Sequence, residues 1–100
     1  MGYNLVVNAQ DSKIIDRRLA RIEGQVRGVR RMVEEEAYCV DILTQLTAVK
    51  SAIEQVSAAI ASQHIKHCIV DQDQGHEQAK SMTKEELLDE LDEVLGRLMR

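Results

Sequence analysis

Two runs of apolar residues set most of what this chain can fold into. Ile15, Leu19, Ile22, Val26, Val29 and Val33 recur at alternating steps of four and three, and Ile42, Leu46, Val49, Ile53, Val56 and Ile60 repeat the alternation. Such steps keep side chains on one face of an α-helix and define a seam that packs against another helix. The sequence has no proline, so nothing forces either helix to break. Its apolar residues are mostly Ala, Val, Ile and Leu, with no Phe or Trp, which suits interdigitating helices. No segment alternates in the way a half-buried strand requires. The pattern predicts an all-α chain forming one domain over residues 1–100.

Asp11 and Ser12 are suitable N-caps, placing the start of a first helix there. It should fade at Glu34, Glu35 and Glu36, where acids meet the helix end that favours cations. A second helix is predicted from about Ala37 to His67 or beyond. Ala48, Ala52, Ala58, Ala59 and Ala61 add helix propensity to it and allow close approach. A helix of ~30 residues is roughly 45 Å long, more than a compact 100-residue globule can enclose. Its seam needs a second chain, giving at least an antiparallel dimer in which long helices form a four-helix bundle. Residues 71–82 are polar and hold Gly75, and read as a loop with some helical character. Thr83-Lys84-Glu85-Glu86 fits a capping box. It opens a third helix whose apolar face is Leu87, Leu88, Leu91, Leu95 and Leu98. Residues 1–11 read as irregular and loosely held.

The net charge of −4 conceals an asymmetry. Residues 13–31 carry seven bases against two acids, or +5, and residues 71–100 carry nine acids against four bases, or −5. On a helical projection Lys13, Arg17, Arg21 and Arg31 lie opposite the first seam, and Gly24 and Gly28 share their side, leaving backbone accessible. A one-sign stripe several turns long fits a nucleic-acid backbone, whereas a mixed-sign face would simply be solvated. No zinc finger, basic zipper or recognition helix is visible. Tyr3 and Tyr38 are too few for a base-stacking surface.

The chain has two cysteines, Cys39 and Cys68, and His64 stands four residues before Cys68. On a helix His64 and Cys68 share a face. Thiolate and imidazole bind soft and borderline ions such as Cu(I) and Zn(II), not magnesium or calcium. Three ligands suit Cu(I), whereas structural zinc usually takes four. Cys39 is 25 positions before His64, so one continuous helix would hold them about 37 Å apart. Either the helix breaks, or Cys39 of one chain meets His64 and Cys68 of another. Antiparallel pairing would form two such sites per dimer. His67 lies about 100° around the helix from His64 and reads as a solvated surface residue.

The most apolar segments are interrupted by charge, so no membrane span is predicted. The N-terminus lacks a signal peptide's basic start and apolar core, and Val6 stands where a Met1-Gly2 myristoylation signal needs Ser or Thr. These features point to a cytoplasmic protein with reduced thiols. No paired carboxylates, nucleophile with a base, or phosphate loop suggests an enzyme or a small-molecule substrate.

Arg18–Gly28 (R-L-A-R-I-E-G-Q-V-R-G), Tyr38–Val49 (Y-C-V-D-I-L-T-Q-L-T-A-V) and His64–Cys68 (H-I-K-H-C) resemble the copper-sensing repressor family, the CsoR/RcnR group, over roughly residues 12–95. The resemblance implies dimers assembling into a flat tetramer, and operator DNA binding that metal weakens. It puts Cys39, His64 and Cys68 on the family's copper-ligand positions. It puts Tyr38 and Glu86 where side chains hydrogen-bond the ligating imidazole, although the capping box would engage the same Glu86 carboxylate. Arg18 and Arg21 carry over as DNA contacts, beside Lys13, Arg17 and Arg31 of the stripe. A basic position found in helix two of some members is Gln55 here. Nickel and cobalt sensors of the family add an N-terminal histidine, absent from residues 1–63, and persulfide sensors lack the histidine that is His64 here. The resemblance thus implies a Cu(I)-responsive repressor that also accepts Zn(II) in vitro. A thiol-redox or persulfide sensor using Cys39 and Cys68 is the alternative within this class. A cytosolic metal-binding protein without a DNA role is the alternative outside it.

Overall fold

The computed structural model describes residues 9–99, and among these every regular element is helical. α1 (Ala9–Glu34) and α2 (Cys39–His64) are each 26 residues long. A π-helical turn (Ile65–Val70) continues α2, followed by a 3-10 turn (Gln72–Gln74), the short α3 (Glu77–Lys80) and α4 (Lys84–Leu98). α1 packs along α2, and α3 and α4 pack on the π-turn.

The predicted boundaries shift for local reasons. α1 is already helical at Ala9, upstream of the expected cap at Asp11–Ser12. The expectation of a loose segment over residues 1–11 otherwise falls on residues 1–8, outside the described ones. At its other end the Ala37 N–H bonds the Met32 carbonyl at 2.9 Å and the Glu36 N–H bonds that of Val33 at 3.1 Å. This is a Schellman closure, with Glu36 in the left-handed position at φ 54° that glycine usually fills. The turn consumes Ala37 and leaves Tyr38 extended (φ −59°, ψ 129°), so α2 begins at Cys39, two residues later than expected.

At the far end the α-helical pattern stops at His64, where a helix to His67 was expected. The chain widens into the π-turn, marked by the Asp71 N–H bonding the Lys66 carbonyl five residues back at 3.1 Å. The expected third helix is α4, and its box is complete: the Thr83 N–H donates to Glu86 Oε1 at 2.8 Å and the Glu86 N–H to Thr83 Oγ1 at 3.1 Å. The loop over residues 71–82 contains more order than its composition suggests, in the 3-10 turn and α3.

The seams are only partly covered within one chain. Ile15, Val49 and Val56 are buried, but Leu19, Val26, Val33, Leu46 and Ile53 are exposed. A second, small core gathers Cys68, Ile69, Ala79 and Leu87, flanked by Met82 and Leu91. The molecule measures 52 × 28 × 16 Å with a radius of gyration of 16.9 Å, against about 13 Å for a compact domain of this length. Such an elongated chain leaves much of its apolar seam exposed.

Candidate metal centre

The three ligand candidates sit at the two ends of α2. Cys39 is its first residue and His64 its last, so 25 rises of about 1.5 Å hold them roughly 37 Å apart. Cys68 stands on the π-turn directly after His64. Among the described residues of one chain, no three His, Cys, Asp or Glu side chains converge to hold a metal ion.

His64 and Cys68 line one cleft of about 430 Å³ between the end of α2, the π-turn, α3 and α4. Its walls are mainly apolar, with Ile60, Leu87, Leu91 and Leu95 among them. Cys68 is buried at 4% exposure, and His64 is half-buried. The π-turn brings the Cys68 thiol into the same cleft as the His64 imidazole, and π-turns recur at functional sites. Cys39, by contrast, is exposed and surrounded by exposed apolar neighbours, with Tyr38 70% and Leu43 60% accessible. One end of α2 thus offers a lone thiol on an apolar knob, and the other a thiol and imidazole in an apolar cleft. Two thiolates and an imidazole are a donor set suited to Cu(I).

The neighbours expected to orient the imidazole are placed unequally. Tyr38 adjoins Cys39 and is remote from the His64 of its own chain. Glu86 is exposed and engaged in the α4 capping box; hydrogen bonds from the Thr83 backbone and side chain hold its carboxyl below the usual glutamate range. Glu90, one turn later, lines the cleft, as does His76, whose Nδ1 accepts the Gln78 N–H at 3.2 Å. The sequence reading named neither. Glu90 stands three residues after Leu87 and four before Val94, a helical spacing visible in the sequence, whereas His76 sits in a loop with no periodic signal. His67 is half-buried and meets Gln63 Oε1 through Nε2 at 3.0 Å, so it is not the freely solvated residue expected.

On α1, Lys13, Arg17, Arg18, Arg21 and Arg31 are all exposed. A methyl group at Gly24 or Gly28 would meet nothing within 4 Å, so the backbone between the arginines is open.

The metal-sensitive transcriptional repressor family matches residues 11–97. The chain belongs to that family. Its members are transcriptional repressors, in line with a sequence that carries no enzymatic constellation. The copper-sensing transcriptional repressor RicR of Mycobacterium tuberculosis is 51% identical over 53 residues, covering 53% of this chain and 55% of RicR. The copper-sensing transcriptional repressor CsoR of Bacillus subtilis is 45% identical over 64 residues, covering 64% of this chain and 63% of that CsoR. The chain therefore spans somewhat more than half the length of these two relatives. A crystal structure of the copper-sensing repressor CsoR with Cu(I) from Geobacillus thermodenitrificans superposes with a TM-score of 0.76 at 35% identity, covering 94% of this chain and 92% of that one. No helix among the described residues is long and apolar enough to cross a membrane.

Proposed function

We propose that this chain is a Cu(I)-responsive transcriptional repressor of the cytoplasm, which binds operator DNA without metal and is released when Cu(I) binds. The observation that carries the reading is the division of a copper-type donor set between the two ends of α2. Copper sensing in the named relatives, and Cu(I) in the similar solved structure, support the choice of metal.

Antiparallel pairing of two α2 helices sets Cys39 of one protomer beside His64 and Cys68 of its partner, and covers the exposed seam residues at the same time. Two such sites arise per dimer, and dimers pair further into a tetramer. A bound Cu(I) supplies a bond between soft donors on two chains, and Zn(II) is accepted in vitro by the same set. Cys39 then brings its apolar knob against the partner's cleft, and Tyr38 comes within reach of the partner's imidazole. Glu86 stays in the capping box of its own α4, its Oε1 accepting the Thr83 N–H. The α1 stripe of Lys13, Arg17, Arg18, Arg21 and Arg31 neutralises operator phosphates. Because α1 packs along α2, a change in how two α2 helices sit changes the spacing of the stripes. Copper weakens DNA binding to the extent that the DNA-free arrangement binds it more tightly.

Fluorescence anisotropy with a duplex from the gene's own upstream region tests this. Wild type should bind without metal and lose affinity with Cu(I), and Cys39→Ala should bind and ignore Cu(I). Tight Cu(I) binding that left DNA affinity unchanged would remove the regulatory role. DNA binding that is absent, or indifferent to salt, would favour a metal-binding protein without a DNA role. His64→Ala separates copper from sulfur sensing: it should abolish the copper response but spare any polysulfide-driven Cys39–Cys68 crosslink.

A further inference from the structure

We infer that Gln72 and Gly75 are positioning residues for Cys68, holding a strap over residues 71–83 against the π-turn so that the thiol stays in the cleft beside His64. The inference deepens the reading above, and rests on it for its consequence in copper binding.

One observation is a contact with no spare room. Gly75 is extended (φ −85°, ψ −172°), a conformation any residue adopts, so its backbone angles do not demand glycine. Space does. A Cβ at this position would stand 2.6 Å from the His67 carbonyl oxygen, 2.8 Å from Cα of Cys68 and 3.3 Å from the Gln72 carbonyl oxygen. The first two, the closest, are backbone atoms of the π-turn that carries Cys68, and neither they nor the Gln72 carbonyl can swing aside as a side-chain tip would.

The second observation is independent of the first. The Gln72 side-chain amide donates through Nε2 to the carbonyl oxygens of Ala79, at 2.7 Å, and Met82. One half-buried side chain thereby spans the loop from its 3-10 turn to the residue before Thr83, the N-cap of α4. The segment is closed at both ends and laid across the backbone of Cys68 at Gly75, and it contributes its own Ala79 to the core that buries the thiol. Neither Gln72 nor Gly75 lines the cleft, so both act through the shape of the turn. A π-turn is a rare geometry, and loss of the strap lets residues 65–70 relax toward an ordinary helical path. Cys68 then leaves its place relative to His64.

The test uses the metal-free full chain and the variants Gly75→Ala and Gln72→Glu, the latter keeping length but losing the amide donor. Native-state alkylation by iodoacetamide is followed separately at Cys39 and Cys68 by peptide mass spectrometry, and Cu(I) affinity is measured by competition with a chelator. Cys68 should react about tenfold faster or more in both variants while Cys39 keeps its rate, because the opening is local. Cu(I) affinity should fall with it. Ile15→Ala, a core truncation in α1, should leave the ratio of Cys68 to Cys39 reactivity at the wild-type value, which separates positioning from general loss of stability. If Gly75→Ala does not fold, Gln72→Glu decides alone. Faster Cys68 alkylation with unchanged Cu(I) affinity supports the strap and overturns the ligand role of Cys68. Wild-type protection of Cys68 in the folded variants overturns the strap.

Discussion

Thr83 and Glu86 satisfy one another at the start of α4: the carboxylate accepts the Thr83 amide N–H at 2.8 Å and the hydroxyl accepts the Glu86 amide N–H at 3.1 Å. Thr83→Ala removes one half of the box and should cost about 1 kcal/mol. The Glu86 pKa is lowered in the folded chain by hydrogen bonds to its carboxylate, first from the Thr83 backbone N–H and then from the Thr83 side chain. Its contribution is therefore present above the ordinary unfolded glutamate value, and is lost as pH falls through the lower folded value. Urea-unfolding midpoints of wild type and Glu86→Gln, at fixed protein concentration, should converge on acidification through that window.

Leu87 is completely buried and packs with Cys68, Ile69 and Ala79. Leu87→Ala should cost about 2–5 kcal/mol, read as a lowered unfolding midpoint. Leu88→Ala, on the exposed side of the same helix, should stay within about 0.5 kcal/mol in the metal-free protein.

Glu36 closes α1 at φ 54°, a conformation that costs an L-residue about 1–2 kcal/mol. Glu36→Gly relieves that cost but widens the choices of the unfolded chain. The net gain expected in chemical denaturation is about 0.5–1 kcal/mol, with metal and DNA affinity unchanged.

Arg18 and Arg21 are exposed on α1. If they contact phosphates, Arg18→Ala and Arg21→Ala should each weaken DNA binding evenly across sequences. Each should also reduce the slope of log affinity against log salt by about 1. A loss confined to one base position would assign the residue to base readout instead.

The two long helices were legible because the four–three alternation of apolar residues from Ile15 to Val33 and from Ile42 to Ile60 survives in the folded chain. The capping box was legible because it is a purely local exchange between Thr83 and Glu86. The turn between α1 and α2 was less so, since a glutamate occupies the left-handed position where glycine would have signalled it. The π-turn was not legible at all. It depends on Gly75 meeting the Cys68 backbone and on Gln72 reaching Ala79 and Met82, contacts that a periodicity within α2 cannot report. For the candidate centre, the pairing of His64 with Cys68 followed from their spacing, and the remoteness of Cys39 from helix length. His76 enters the cleft through a loop that carries no pattern.

The central claim is that one site takes Cys39 from one chain and His64 and Cys68 from another. The direct measurement is Cu(I) binding by Cys39→Ala and Cys68→Ala proteins, first alone and then unfolded and refolded together. Alone, neither should bind Cu(I) with wild-type affinity. Together, half of randomly formed dimers are mixed and each mixed dimer has one intact site of two, so about a quarter of the sites should return. No recovery on mixing, with mixed dimers demonstrably formed, would contradict a shared site.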